Sequence, residues 1–314
     1  MTRPTIAVIG AGQVGATTAH LALLKQLGDV VLVDVIDGLA EGKALDLLQA
    51  AAVEGVPIRV RGTTDYDAIA GAAIVVVTAG LARKPGMTRD DLLAANAGIV
   101  GPIADRIARV APQAIVIVVT NPLDVMTQLV LKQTGFPRER VIGMAGVLDS
   151  GRLKAFIAEQ ANVSPADVSA MILGSHGDQM VPVVSSITIG GKPATQRIDA
   201  ATLEKLCERA RNGGAEIVAL LKQSSAYYAP AASVIQMVDA IVRNRRAVLP
   251  ACVRLEGEYG LRDVCIGVPV ELGSPGVVRV VEQPLTDAER TALHRAAQQV
   301  QSTWNQLLTL QPKA

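Results

Sequence analysis

Short apolar runs alternate with helical patterns along the first half of the chain. Several of these runs are apolar throughout, as in strands that are buried on both faces of a parallel sheet. The predicted strands are Ile6–Ile9, Val30–Asp34, Ile58–Val60, Ile74–Thr78, Ile115–Thr120 and Val141–Ile142. The predicted helices between them are Val14–Leu27, Leu39–Ala50, Arg89–Val110 and Pro122–Thr134. This alternation predicts an α/β fold with a doubly wound parallel sheet.

The pattern changes after about residue 145, where strands and helices no longer alternate regularly. The predicted helices of the second half are Ser150–Gln160, Ala200–Lys222, Ala231–Asn244 and Asp287–Leu310. The predicted strands are Val168–Leu173, Val183–Ile189, Val248–Leu255, Val264–Val270 and Val277–Val280. This mixture indicates an α+β unit. We therefore predict two domains, residues 1–145 and residues 146–314, with no long linker between them.

Composition excludes several classes of protein. The chain has 314 residues, of which 50% are hydrophobic, so two domains can each bury a core. Thirty basic and 29 acidic side chains leave no broad charge for nucleic acid or an anionic membrane. The longest largely apolar stretch, Ala72–Ala82, is shorter than the ~20 residues that a membrane span needs. We expect neither a nucleic-acid partner nor a membrane partner.

The three cysteines are odd in number and widely spaced at Cys207, Cys252 and Cys265. This pattern matches neither a disulfide framework nor a zinc site. A reducing compartment is therefore expected, with a cytoplasmic location and no bound metal.

A glycine-rich turn follows the first predicted strand and opens the first predicted helix. Its sequence is Gly10-Ala11-Gly12-Gln13-Val14-Gly15, and Asp34 follows 19 positions beyond Gly15. Such glycines allow a tight turn, a close approach of backbone to a pyrophosphate and close helix–strand packing. A carboxylate at the end of the second strand accepts hydrogen bonds from a ribose diol and repels a 2′-phosphate. The pattern indicates an NAD site of the Rossmann type, with a purely structural turn as the alternative.

Among the three histidines, His176 is the candidate acid/base. His20 and His294 fall inside predicted helices, whereas His176 lies in Gly174-Ser175-His176-Gly177-Asp178, after a predicted strand. Imidazole has a pKa near neutrality, which suits proton transfer. A loop histidine taken alone is nevertheless more often structural than catalytic.

Further polar residues lie where strands end or helices begin. Basic residues concentrate in the segment 80–89, which follows the fourth strand and is typical of a cationic lid over an anionic substrate, or of a solvated loop. Asn121 follows the fifth strand, and Asp149 and Arg152 open the next helix. Each of these three also fits an ordinary cap, turn or surface residue.

Six motifs taken together resemble the lactate/malate dehydrogenase family over essentially the whole chain. In order they are GAGQVG, TAGLARKPGMTRDDLL, VTNPLD, GMAGVLDSGRL, GSHGDQMVP and SAYYAPAAS. The resemblance implies a Rossmann-type NAD-binding domain followed by an α+β catalytic domain. It also implies hydride transfer between NAD and a small 2-hydroxy acid.

The resemblance assigns roles to individual residues. His176 matches the proton donor and acceptor, and Asp149 matches the carboxylate that orients it. Arg152 matches the residue that grips the substrate carboxylate, and Arg89 matches the residue that polarises the reacting carbonyl. Asn121 matches the residue beside the substrate and the nicotinamide. The implied cofactor contacts are Gly10, Ala11, Gly12, Gln13, Val14, Gly15, Asp34, Asn96, Val119, Thr120 and Asn121.

Arg83 bears on the choice of substrate. The resemblance implies that an arginine at this position pairs with the distal carboxylate of malate or oxaloacetate, where lactate enzymes carry an uncharged residue. Two alternatives stay open: a lactate or broad 2-hydroxyacid dehydrogenase, and an NAD-binding protein without turnover. Ala82 and Ser224 depart from common family residues, which bears on rates and lid motion.

The resemblance also implies a homo-oligomer, a dimer or, as favoured for this branch, a homotetramer, and a place in the tricarboxylic acid cycle. The apolar helical stretches Leu39–Ala50 and Ala231–Val242 are the expected contact surfaces.

Overall fold

The computed structural model describes residues 3–81, 87–222 and 224–310. The first half alternates strands with helices, as predicted. The strands are β1 (Thr5–Ile9), β2 (Asp29–Val33), β3 (Val60–Thr63), β4 (Ile74–Val77), β5 (Ile115–Val118) and β6 (Val141–Gly143). The helices are α1 (Gln13–Leu24), α2 (Leu39–Val53), α3 (Arg89–Val110) and α4 (Leu123–Thr134).

These six strands are parallel and lie in the order β3-β2-β1-β4-β5-β6. The order reverses direction between β1 and β4, which makes a crevice beyond the carboxyl ends of the strands. The predicted doubly wound sheet is therefore confirmed. Apart from Thr5 at the start of β1, the central strands β1, β4 and β5 consist of buried apolar residues, as two-sided burial requires.

The third strand was placed too early by the hydrophobic pattern. It begins at Val60 and continues through Arg61 and Gly62, whereas Ile58 is buried in the loop before it. β3 pairs only with β2 and forms the sheet edge, where one-sided exposure tolerates polar residues. A Cβ atom on Gly62 would collide with the carbonyl oxygen of Ala40, so this glycine allows α2 to pack against the strand.

The second half contains four long helices and eight strands within the described residues. The helices are α5 (Gly146–Ala161), α6 (Ala200–Leu221), α7 (Tyr228–Val242) and α8 (Asp287–Leu310). The strands are β7 (Val168–Ser169), β8 (Ile172–Gly174), β9 (Met180–Pro182), β10 (Thr188–Ile189), β11 (Lys192–Pro193), β12 (Ala247–Glu256), β13 (Arg262–Gly273) and β14 (Gly276–Val280).

Two strands predicted in this half were wrong in extent. The run 168–173 is divided, because β7 pairs with β10 in a small sheet whereas β8 pairs with β13 and β9. The run 183–189 contains a helical turn over Val184–Ser186, and only its last two residues form β10. Val183 and Ile187 are buried at the two ends of this turn without strand pairing, whereas Val184 within it is exposed.

The parallel sheet continues into the second half. Gly143 of β6 pairs with Cys252 of β12, and β13, β8 and β9 follow, so that eleven of the described strands share one sheet. The division at residue 145 lies between β6 and α5 and stays a prediction. Within the described ranges, no helix combines the length and apolar character that a membrane crossing requires.

Candidate active site

A cavity of about 630 Å³ opens beyond the carboxyl ends of β1, β4 and β5. Residues that follow these strands line one side, and residues from α5, α6, α7 and the loop after β8 line the other. Its size is that of a typical small-molecule site. The predicted site residues that line it are Gly12, Gln13, Val14, Gly15, Val119, Thr120, Asn121, Arg152 and His176.

The glycine-rich turn leaves room for a ligand at one position. Gly10 has a φ of +101°, and a Cβ atom on Gly15 would collide with the Gly10 carbonyl oxygen, so the fold itself requires both glycines. A Cβ atom on Gly12 would meet nothing within 4 Å. The open space beside Gly12, at the N-terminus of α1, suits the close approach of a pyrophosphate.

Asp34 lies directly after β2 and is bound to the glycine-rich turn. Its Oδ2 accepts a hydrogen bond from the Ala11 N–H at 2.6 Å, and its Oδ1 accepts one from the Ile36 N–H at 3.0 Å. The carboxylate is thereby fixed at the outer end of the turn, with further lone pairs free. This placement fits the ribose diol of NAD, and the negative charge disfavours a 2′-phosphate.

His176 and Asp149 meet at the other side of the cavity. The His176 Nδ1 lies 2.9 Å from the Asp149 Oδ2, although 27 positions separate the two residues. Asp149 is only 2% exposed, whereas the His176 ring is 19% exposed. Because an ionised carboxylate can only accept, Nδ1 carries the hydrogen and Nε2 is the nitrogen left for a substrate.

The surroundings of His176 raise its pKa. Burial lowers this pKa, but the charge of Asp149 and its hydrogen bond to the ring together raise it by more. The charge of Asp124 raises the pKa slightly, and the charge of Arg152 lowers it. The ring of His176 therefore stays protonated up to a higher pH than the ring of a free histidine does. Such a ring can donate a proton near neutral pH and take it back.

Arg152 shares the same carboxylate. Its Nη1 donates to the Asp149 Oδ1 at 3.3 Å, and its side chain is only 11% exposed. A Cβ atom on Gly213 of α6 would lie 3.1 Å from the Arg152 Cδ, and one on Gly214 would lie 3.5 Å from the Arg152 Nη2. Two glycines inside a helix weaken that helix, and here they make room for the guanidinium. Arg152 can thus present hydrogen donors to an anionic ligand in the cavity.

Arg89 does not line the cavity. It is the first residue of α3, and its Nη2 lies 2.6 Å from the Oδ2 of Asp178 in an ion pair whose side chains are 77% and 76% exposed. Asp178 lies two residues beyond His176, so this ion pair places Arg89 beside the loop that carries the imidazole. Arg83 lies outside the described residues.

Asn96 is fully buried on α3, and its side chain forms hydrogen bonds with backbone groups of two loops. Its Nδ2 donates to the carbonyl oxygens of Asn121 at 2.7 Å and Leu81 at 3.1 Å, and its Oδ1 accepts from the Leu81 N–H at 2.7 Å. The Thr120 hydroxyl donates to the Ala79 carbonyl at 2.6 Å. These bonds tie the ends of β4 and β5 together and fix the position of Asn121 at the cavity.

Several cavity residues were missed by the sequence analysis. The most polar is Arg211 of α6, whose Nε donates to the Met180 carbonyl at 3.4 Å. The glycine pair that follows it in the same helix was an available signal, because glycines inside a helical pattern often mark a close approach. Val218 of the same helix has no distinctive local sequence. Met180 lies in the motif GSHGDQMVP, and Ser225, Tyr227 and Pro230 lie in SAYYAPAAS, but no individual role was predicted for them. Ser224, which departs from the common family residue, also lines the cavity.

Over the described part of the chain, no three His, Cys, Asp or Glu residues cluster as metal ligands would.

Comparison with known proteins identifies both halves of the chain. Residues 5–143 match the NAD-binding domain of lactate/malate dehydrogenases, and residues 146–311 match the alpha/beta C-terminal domain of the same family. The chain is 52% identical to the malate dehydrogenase of Roseiflexus sp. (strain RS-1) over 301 residues, which cover 96% of this chain and 97% of the relative.

Solved structures agree with this assignment. The crystal structure of Cryptosporidium parvum malate dehydrogenase is similar with a TM-score of 0.95 and 40% identity, over 98% of this chain and 100% of that one. The lactate dehydrogenase of the same organism, complexed with lactic acid and nicotinamide adenine dinucleotide, has a TM-score of 0.95 and 36% identity over the full length of both chains. Since the family models and the relatives span nearly all of the sequence, the chain belongs to the lactate/malate dehydrogenase family.

Proposed function

We propose that the protein is an NAD-dependent malate dehydrogenase that interconverts malate and oxaloacetate. The observation that carries the proposal is the arrangement of His176, Asp149 and Arg152 beside the glycine-rich turn. One carboxylate holds the imidazole at 2.9 Å and the guanidinium at 3.3 Å, on the wall of a cavity that the turn also lines. A proton carrier and a carboxylate-binding cation thus lie side by side at the cofactor edge of the sheet.

The cofactor is held by the first half of the chain. NAD, when bound, supplies or accepts the hydride at C4 of its nicotinamide ring. The turn from Gly10 to Gly15 would receive the pyrophosphate, and Asp34 the adenosine ribose. Val119, Thr120 and Asn121 line the cavity farther along the same edge, with Asn96 holding their backbone in place.

The second half of the chain handles the substrate and the proton. Arg152 binds the C1 carboxylate through its guanidinium, which sets the C2 carbon and its oxygen beside the ring of His176. In oxaloacetate reduction the Nε2 of His176 donates its proton to the carbonyl oxygen, and in malate oxidation it removes the hydroxyl proton. Asp149 holds the ring orientation in both directions and stabilises the charged form.

Arg89 and Arg83 complete the proposed site from the lid segment. Arg89 would leave its exposed ion pair with Asp178 and turn toward the carbonyl oxygen, where it stabilises developing negative charge. An exposed ion pair is weak, so little opposes this exchange. Arg83 would pair with the distal carboxylate, because an arginine enclosed over the methyl group of pyruvate would be left without a counter-charge.

The substrate preference tests the proposal. Initial rates of NADH oxidation are measured with oxaloacetate and with pyruvate under the same conditions. We expect kcat/KM for oxaloacetate to exceed that for pyruvate by roughly 10³-fold, since a missing charge partner costs several kcal/mol. A preference for pyruvate would identify a lactate dehydrogenase instead. NADH binding without turnover of either substrate would favour the non-catalytic alternative.

The variant Arg83→Gln sharpens this experiment. Loss of the guanidinium should reduce kcat/KM for oxaloacetate and raise the relative use of pyruvate, because the uncharged amide no longer selects a second carboxylate. Lys84→Gln is the matched control, since it removes a neighbouring cation from the same segment and should leave the ratio near that of the parent protein. An unchanged ratio in Arg83→Gln would place the specificity elsewhere.

The proposed enzyme acts in the tricarboxylic acid cycle in the cytoplasm, as a homo-oligomer and specifically a homotetramer. Of the two expected contact surfaces, Ala231–Val242 has most of its apolar residues buried within the chain, so α2 offers the larger exposed apolar face. On α2, Leu45 and Leu48 are exposed and lie three positions apart on one helix face.

The α2 surface predicts a change in assembly. The double substitution Leu45→Lys and Leu48→Lys should convert the oligomer into smaller species, because the two charges oppose burial of this face of α2. Sedimentation velocity measures the outcome. Leu308→Lys on α8 replaces another exposed leucine and should leave the oligomer intact. An unchanged mass for the α2 variant would exclude this surface.

A further inference from the structure

Asp124 is a buried carboxyl group that the proposed mechanism does not use. It lies in the first turn of α4, three residues beyond Asn121, and is 5% exposed. Its Oδ2 accepts a hydrogen bond from the backbone N–H of His176 at 3.0 Å. A helix of the first half therefore anchors the loop of the second half that carries the imidazole.

The loop around His176 needs such an anchor. Gly174 and Gly177 flank the histidine with φ values of +83° and +141°, so the local backbone is intrinsically free. Pairing of Gly174 with Met180 closes the loop at its ends, and within it Asp149 fixes the ring at Nδ1 while Asp124 fixes the main chain at the N–H. With both in place, the direction of Nε2 is determined by groups from two different helices.

The second oxygen of Asp124, Oδ1, is buried and has no N–H or O–H partner among the described residues. The Cys252 thiol also interacts with this carboxyl group. Burial raises the pKa of Asp124 to about 6, while the Cys252 thiol and the N–H and charge of His176 lower it and Asp149 raises it. A carboxyl group in such a place costs stability compared with an apolar residue. Its negative charge, in turn, raises the pKa of His176.

The groups that face this carboxyl are few. His176 approaches from the loop after β8, Asp149 from α5, and the Cys252 thiol from β12. Cys265 on β13 contacts Cys252 in turn, and Arg152 opposes the effect of both carboxylates on the imidazole. Burial raises the pKa of Cys252 well above its ordinary value, so the thiol stays neutral. Among the described residues, Asp149 and Asp124 are therefore the main groups that bring negative charge to the ring.

We propose that Asp124 is a positioning residue for His176, which holds its main chain in place and adds a second negative charge beside the imidazolium. This inference rests on the proposed function, in which His176 carries the proton. Asp149 bonds the ring itself, whereas Asp124 holds the main chain that carries the ring and affects how firmly the ring holds its proton.

Two variants separate the bond from the charge. Asp124→Asn keeps an oxygen acceptor for the His176 N–H but removes the charge, whereas Asp124→Ala removes both. Thr127→Val is the matched control, because Thr127 is also fully buried on α4 and its hydroxyl bonds only within the helix, to the Leu123 carbonyl. Thermal unfolding and NADH fluorescence verify that each variant is folded and binds the cofactor.

The first readout does not depend on activity. The titration of His176 is followed by NMR of the ¹³C-labelled imidazole, assigned by its loss in His176→Asn. We expect Asp124→Asn to lower the pKa of His176 by about half a unit or more. Thr127→Val should leave it in place. An unmoved titration in a folded Asp124→Asn protein would overturn the proposal.

The second readout is the pH dependence of turnover. With a lowered pKa, the loss of oxaloacetate reduction on raising the pH and the loss of malate oxidation on lowering it should both shift to lower pH. Asp124→Ala should show this shift and also a reduced kcat at every pH, since the main chain of His176 is released. A uniform loss without a shift would indicate a purely structural role and would contradict the proposal.

If Asp124→Asn does not fold, the parent protein supplies the test. Coupled groups titrate in two steps, so the His176 resonance should show a second inflection near pH 6 where Asp124 ionises. A one-step curve would count against the inference. If the parent protein turned over neither oxaloacetate nor pyruvate, the proposed function would fail, while the NMR result would still decide the contact between Asp124 and His176.

Discussion

Replacement of His176 with asparagine is expected to reduce kcat for oxaloacetate reduction by roughly 10²–10⁴-fold, the range over which a positioned acid/base contributes. Asparagine has a similar polar end but cannot carry a proton at neutral pH. Asp149 would retain a hydrogen-bond donor opposite its Oδ2, so the fold around the cavity should persist. Steady-state rates and NADH fluorescence titration measure the two effects separately.

NADH affinity should change by less than about two-fold, because the turn that holds the cofactor belongs to the other half of the chain. His294→Asn is the matched control. The Nε2 of His294 lies 2.9 Å from the Tyr259 carbonyl, outside the residues that line the cavity, and its replacement should leave kcat unchanged. Turnover above a tenth of the parent rate in His176→Asn would remove this residue from the mechanism.

The pH dependence of the parent enzyme follows from the raised pKa of His176. Reduction of oxaloacetate needs the protonated ring, so this activity should persist to higher pH than an ordinary histidine would allow and then fall as the pH rises through the raised pKa. Oxidation of malate needs the neutral ring and should fall as the pH decreases through the same value.

Local sequence signals predicted the helices and the backbone of the glycine-rich turn well. The predicted helix Arg89–Val110 has the observed bounds, because Thr88 and Asp91 form reciprocal capping bonds at its start. The glycine-rich turn was equally readable, since its backbone requirements are local. By contrast, the split between β7 and β8 depends on which distant strand each of them pairs with, and no local pattern records that choice.

The candidate site also depends on contacts that no local sequence pattern records. The sequence alone suggested that His176, Asp149 and Arg152 were candidates, but only the fold brings one carboxylate within reach of both cations. The backbone bond from His176 to Asp124 spans 52 positions and has no sequence signature. The exposed pair of Arg89 with Asp178 was equally invisible. Contacts between elements that are distant in sequence were the part that pattern reasoning could not supply.

Replacement of Arg152 should be nearly as severe as that of His176. In Arg152→Met the substrate carboxylate loses its two-pronged partner, and Asp149 loses one of its two cationic neighbours while staying buried. Breaking a buried charged pair costs about 3–5 kcal/mol, which corresponds to a loss of roughly 10²–10⁴-fold in kcat/KM for oxaloacetate. Arg152→Lys should recover part of this loss, because it keeps the charge but not the planar fork.

Arg152 lies between Asp149 and the glycine pair of α6, so its surroundings fit an arginine better than a lysine. Because Gly213 and Gly214 leave space shaped for a guanidinium, lysine should fill it poorly and show mainly a raised KM. Arg209→Gln on the same helix removes an exposed cation that pairs with Glu216, and it should leave kcat/KM within about two-fold of the parent value. If Arg152→Met and Arg209→Gln behaved alike, the substrate carboxylate would have to bind at another cation, and Arg211 at the cavity wall would be the first to replace.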